Sequence, residues 1–256
     1  MEKRKQAWLI IFGSVLFLGA LLFGKTIITP KPVCDPSIKS KTVILLDHSE
    51  GVPTQTMNEI VDRAWEMIDK EVPEGELVSV FSLDKLSKRD FKPSFSACKP
   101  RIDGSRTTED IRRIRRDFED KFKKPLMTAL AAPISGADES AIAQALIDLS
   151  LDDVRFRSND VTRLSIFSDF LENTPGFSMY KCTNPAGAVS QFRASRLGGV
   201  ERPTFRNVDI RMHIIPRYNV LKPMLQCRDH FWLWFFGDNQ GSCKRAACLN
   251  PDNLPG

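Results

Sequence analysis

One short run, Thr42-Val-Ile-Leu-Leu46, limits what this chain can fold into more than any other segment. It is β-branched and aliphatic throughout and stops abruptly at the polar stretch Asp47-His-Ser-Glu-Gly51. A strand without polar alternation is buried on both faces, and that burial requires a parallel sheet covered by helices on each side. The residues that follow fit the requirement. From Met57 the apolar positions Ile60, Val61, Ala64, Trp65 and Ile68 keep helical spacing, with Thr54 or Thr56 placed to cap the helix. Leu77 to Leu83 is predicted as the next strand, which completes a strand, helix, strand unit.

The pattern repeats along the chain. Residues 84–106 read as irregular, an extended excursion pinned by Phe91, Phe95 and Cys98. Helices are predicted over 107–124, 140–149, 188–197 and 220–236, and strands over 162–167 and 208–215. The expected fold is therefore α/β, a three-layer Rossmann-like sandwich around a mainly parallel sheet. It is preceded by one transmembrane helix. Met1-Glu-Lys-Arg-Lys-Gln6 leads into 17 residues, Ala7 to Phe23, that carry no charge. At 1.5 Å per residue that helix is about 26 Å long, the short end of what spans a hydrocarbon core.

The cations at positions 3 to 5 hold the N-terminus in the cytoplasm, so everything after Gly24 is expected outside it, in the periplasm if the cell is Gram-negative. A cleaved signal peptide shares the basic start and the apolar core, but the small-x-small pattern is poor, with Leu22 before Gly24 and Leu18 before Ala20. The expected layout is a cytoplasmic stub and anchor over 1–24, a Pro-containing linker over 25–41, the α/β domain over 42–241 and a tail over 242–256, frayed from Asn250 onward. All 6 cysteines follow the anchor, and an even count in an exported chain predicts disulfides. Their pairing is not fixed by spacing, although Cys243 and Cys248 are close enough to form a local loop. With 37 basic against 32 acidic residues, the charge is too mild to indicate a nucleic-acid partner.

Ligands of an open parallel sheet gather beyond the carboxyl ends of its strands. Asp47 and Ser49 follow the first strand there, Asp169 follows the strand that begins at Thr162, and the loop Asp138-Glu139-Ser140 precedes a helix. Carboxylate and hydroxyl oxygens in such a group suit a hard divalent cation. These residues resemble the von Willebrand factor A domain family over about residues 40 to 240. Asp47-His48-Ser49-Glu50-Gly51 stands where the family has D-x-S-x-S, with Gly51 in place of the second serine. Ser168-Asp169 stands where it has its strand-end aspartate, and Ser140 takes the place of its loop threonine. The resemblance implies a domain that binds a protein partner through Mg2+ or Mn2+, held by Asp47, Ser49, Ser140 and Asp169, and that is not an enzyme. The expected partner is a protein of an envelope complex.

A divalent-metal-dependent hydrolase of phosphoesterase type, using Asp47 and Asp169, is the alternative. Haloacid dehalogenase-like phosphatases need a second aspartate two residues after the nucleophile, and Ser49 occupies that place. There is no G-x-S-x-G elbow and no glycine-rich phosphate loop. Two further segments stand out. Arg112, Arg113, Arg115 and Arg116 crowd one helix, where Glu109, Asp110, Asp117, Glu119 and Asp120 are expected to balance them; contact with anionic lipid or an acidic partner is the functional alternative. Phe231-Trp-Leu-Trp-Phe-Phe236 holds more large apolar residues than one helix face buries, so part of it is expected to cover a second surface, supplied by the domain itself or by a partner or membrane.

Overall fold

A computed structural model describes residues 34–237 and 252–253, apart from 48, 50, 84–91, 106–107, 134–138, 158–159, 198, 200–201, 204, 206 and 219. The expected anchor, His48, Phe91, Asp138, Cys243 and Cys248 lie outside the described residues. Among those described, no helix is long and apolar enough to cross a membrane. The elements are β1 (Lys41–Leu46), α1 (Thr54–Glu71), β2 (Leu77–Ser82), β3 (Phe95–Cys98), α2 (Ile111–Phe118), a π-helical segment (Glu119–Lys123), α3 (Lys124–Leu130), α4 (Ile142–Ser150), β4 (Thr162–Ser168), α5 (Pro185–Ser195), β5 (Val208–Ile214), α6 (Lys222–Phe236) and β6 (Asp252–Asn253).

The sheet order is β3-β2-β1-β4-β5-β6. β1 pairs in parallel with β2 and with β4, β4 with β5 and β5 with β6, while β3 runs antiparallel to β2. β1 alternates its side chains between two cores. Val43 and Leu45 join Leu164 and Ile166 against α4, α5 and α6. Ile44 and Leu46 join Val78 and Val80 against α1, α2 and α3. This double burial is what a strand lacking polar positions demands. The sheet and both cores fall within Val33–Gly256, a unit with the contents of a self-folding domain.

Several local expectations are corrected. Neither Thr54 nor Thr56 caps α1: the helix starts behind Pro53, without a side-chain cap, and Thr56 is buried within it. The excursion after β2 contains β3, whose Leu77↔Cys98 and Val80↔Phe95 pairings depend on a strand that sequence periodicity in so short a segment did not reveal. The helix expected over 107–124 begins at Ile111, where Asp110 accepts from the N–H groups of Arg112 and Arg113, and it continues through the π-helical segment to Leu130. Pro125 has no N–H for the carbonyl one turn earlier and its ring crowds that turn; a widened turn just before it accommodates both effects. Asp252 and Asn253, expected to fray, pair with His213 and Ile214.

Among the described residues, two disulfides are present: Cys34–Cys98 and Cys182–Cys227. The first ties a residue of the expected linker to the end of β3. The second joins the segment before α5 to α6. Phe231, Trp232, Phe235 and Phe236 are buried, packing with Phe170, Phe177, Phe192 and Phe205, at a gain of roughly 2–3 kcal/mol per fully buried large side chain. The domain itself supplies the second surface that this apolar hexad requires.

Candidate binding site at the carboxyl ends of β1 and β4

The chain moves from β1 outward to β2 and later returns to the other side of β1 as β4, so the sheet's switch point lies between β1 and β4. The two strands end level, Leu46 opposite Phe167, and the Asp47 N–H continues the ladder to the Phe167 carbonyl at 2.9 Å. Asp47 and Asp169 thereby emerge side by side. Ser140 reaches them from another direction: its backbone exchanges hydrogen bonds with Asn173, both 2.8 Å, which clamps the loop before α4 onto the loop after β4.

Asp47 is the hub. Its Oδ1 accepts from the Ser49 N–H at 3.1 Å, and its Oδ2 accepts from the Ser140 hydroxyl at 3.0 Å and the Ser168 hydroxyl at 2.7 Å. Asp169 Oδ1 accepts from the Leu171 N–H at 2.8 Å, and its Oδ2 accepts from Arg217 Nε at 2.7 Å. Arg217 also reaches the Gly51 carbonyl at 3.4 Å, bridging the loops after β1 and β4 from its position after β5. Phe170, between Asp169 and Leu171, has φ 60, a left-handed conformation that is unusual for so bulky a residue. The Ser168 hydroxyl accepts from the Phe170 N–H, and Trp232 Nε1 donates to the Phe170 carbonyl, so neighbours on both sides hold the turn.

Burial raises the Asp169 carboxyl above the usual carboxylate range, the charge of Asp47 adds to the shift, and the Leu171 N–H and Arg217 oppose it. Glu172, 2 % exposed, is pushed up to about 8, first by burial and further by Asp47; the Ala143 N–H, 2.9 Å from Oε2, opposes the shift. Asp47, Asp169 and Glu172 thus place more acid in this buried region than the Arg217 and Arg196 guanidiniums fully compensate.

The four residues singled out from sequence, Asp47, Ser49, Ser140 and Asp169, all lie at this switch point and are all buried. Sequence reasoning missed Ser168, Arg217 and Glu172 as contributors. Arg217 had a signal, since it follows the end of another parallel strand; Glu172 had none. The Asp47 and Asp169 carboxylates with the Ser140 and Ser168 hydroxyls are all-oxygen donors, the kind that suits a hard divalent cation. Among the described residues, no group of three or more His, Cys, Asp or Glu side chains forms a metal-holding cluster.

No protein-family model matches this chain, and no curated protein matches it. Among solved structures, it is similar to a von Willebrand factor type A protein from Catenulispora acidiphila, with 11% identity and a TM-score of 0.42 over 85% of this chain and 39% of that one. It is also similar to the human COPII-coat protein Sec24c, with 11% identity and a TM-score of 0.35 over 87% of this chain and 31% of that one. The chain therefore spans well under half the length of either protein. Strand order and register define the fold.

Proposed function

We propose that this chain is a membrane-anchored, extracytoplasmic protein-binding domain of von Willebrand A type, engaging a protein partner of the cell envelope through the carboxyl-end surface of its sheet. The observation that carries the proposal is the convergence of Asp47, Ser49, Ser140, Ser168 and Asp169 at the switch point between β1 and β4. Tyr218, next in sequence to Arg217, is exposed by 75%, and Leu221, four residues after Arg217, by 63%; an exposed aromatic beside a polar centre suits a protein interface.

Mg2+ or Mn2+ would be held by Asp47, Ser49, Ser140 and Asp169, and would supply a positive centre for a partner's carboxylate. Arg217 already lends positive charge to Asp169 and links the loops after β1 and β4. No catalytic role is assigned to either aspartate.

Calorimetric titration of Mg2+ and Mn2+ into residues 33–256, with Asp47→Ala alongside, tests the ion, and cross-linking from a photoreactive residue at Tyr218 tests the partner. Saturable ion binding that Asp47→Ala abolishes, together with a cross-link weakened by the same change, supports the proposal. Hydrolysis of a phosphoester panel that disappears in Asp169→Ala overturns it in favour of the hydrolase.

A further inference from the structure

The end of the domain opposite the candidate site carries the second feature. β1, β2 and β4 begin there, and β3, running the other way, finishes there at Cys98, opposite Leu77. α1 also ends there, its last carbonyls capped by Lys99. The loop after Lys99 stays at this end, with the Ile102 N–H bonded to Glu74 and Arg101 paired with Glu109, and it leads into the first turn of α2. Arg112, Arg113, Arg115 and Arg116 project from that turn and the next, all exposed.

Sequence counting sets the nearby acids against these arginines, but the structure assigns the acids elsewhere. Asp110 caps the helix backbone, and Glu109 pairs with Arg101. Asp117, Glu119 and Asp120 pair with Lys121, Lys123 and Lys124, each one turn further along. Asp103 takes Arg115. Arg112, Arg113 and Arg116 take part in no ion pair among the described residues, although Arg116 adds weakly to the field at Asp120 behind Lys124. At positions i, i+1 and i+4 they share one outward face, while Phe118 and Phe122 turn into the core.

The chain enters the domain at this same end, because Cys34 is bonded to Cys98. Only 10 residues, 24–33, separate that disulfide from the uncharged run that ends at Phe23, a contour of at most about 35 Å. An acidic protein would also suit three arginines; on the proposed reading that the uncharged run is a membrane anchor, on which this inference rests, the short tether to this end favours lipid. We infer that the face formed by Arg112, Arg113 and Arg116 docks on an anionic lipid surface, through guanidinium contacts with phosphate headgroups. Docked in this way, the domain presents Asp47 and Asp169 at the end facing away from the bilayer.

Residues 33–256 contain the whole sheet, both core clusters and both disulfides, so they serve for the test. The measurement is co-sedimentation with vesicles of phosphatidylcholine alone or mixed with phosphatidylglycerol, at low and high salt. Each basic residue near an anionic surface contributes roughly fivefold, so the Arg112→Gln, Arg113→Gln, Arg116→Gln triple variant should bind mixed vesicles about 100-fold more weakly. The Lys121→Gln, Lys123→Gln, Lys124→Gln triple variant removes the same charge from residues already paired. Its binding should stay within a few-fold of the parent, since those charges are already met.

Equal losses in both triple variants would reduce the effect to net charge and overturn the inference. Binding that ignores phosphatidylglycerol, or that survives loss of the three arginines, would also overturn it. So would capture of polyglutamate in preference to mixed vesicles, which would assign the face to an acidic protein. Circular dichroism of each variant establishes that the helix is retained.

Discussion

The substitution Glu172→Gln tests the electrostatics of the candidate site most directly. The glutamate is 2 % exposed and its folded pKa is pushed up to about 8, against an ordinary 4.5. A raised folded value means that this group's contribution to stability is fully present below the unfolded pKa and is lost as pH rises through the folded pKa. Between pH 5 and pH 7 the unfolded chain releases the proton while the folded domain keeps it. At about 1.4 kcal/mol per pKa unit, this lowers stability by roughly 2.5 kcal/mol over that interval. A glutamine side chain keeps the size and an oxygen for the Ala143 N–H but cannot titrate. The variant should therefore match the parent near pH 3.5, where the side chain is protonated in both states, and exceed it by about 3 kcal/mol at pH 7, or roughly 6–12 °C in Tm for a domain of this size. Asp169 titrates in both proteins, so the difference between their curves isolates Glu172. Urea melts at half-unit pH steps supply the measurement. Parallel curves for the two proteins would refute the assignment of a buried, neutral Glu172.

Other perturbations separate the roles of neighbouring groups. Arg217→Met removes the counter-ion of Asp169; protonation of the aspartate limits the damage, so a loss of about 1–3 kcal/mol is expected at neutral pH, smaller in acid, and a pH-independent loss in urea melts would contradict this. Lys99→Met keeps the apolar stem but deletes bonds of 2.9, 2.9 and 2.8 Å to the carbonyls of Ile68, Asp69 and Val72. A cost of about 2–4 kcal/mol should appear in denaturant melts, together with faster amide exchange at the end of α1. The paired change Cys34→Ser, Cys98→Ser opens a loop of sequence separation 64, and chain entropy sets the expected loss at about 4 kcal/mol. A midpoint within error of the parent would show that this disulfide does not restrict the unfolded chain as supposed.

The legible part of this protein was written in local periodicity. A β-branched run with no polar positions has to sit inside a covered parallel sheet, and a helix-period stripe beside it has to cover that sheet, whatever else the chain contains. Because the ends of such strands are where ligands gather, Asp47 and Asp169 could be placed before any contact was known. Sequence left unsettled which strand lies beside which, that β3 reverses direction, and that Ser168, Arg217 and Glu172 complete the site. The same applies to the acids around α2, which periodicity sets against the arginines and the folded chain gives to the lysines and to Arg101. These outcomes depend on which side chains meet across long separations, 121 residues for Ser168 and Asp47 and 48 for Arg217 and Asp169. Periodicity reports the face a residue must bury; only the closed tertiary structure determines which distant partner waits on that face.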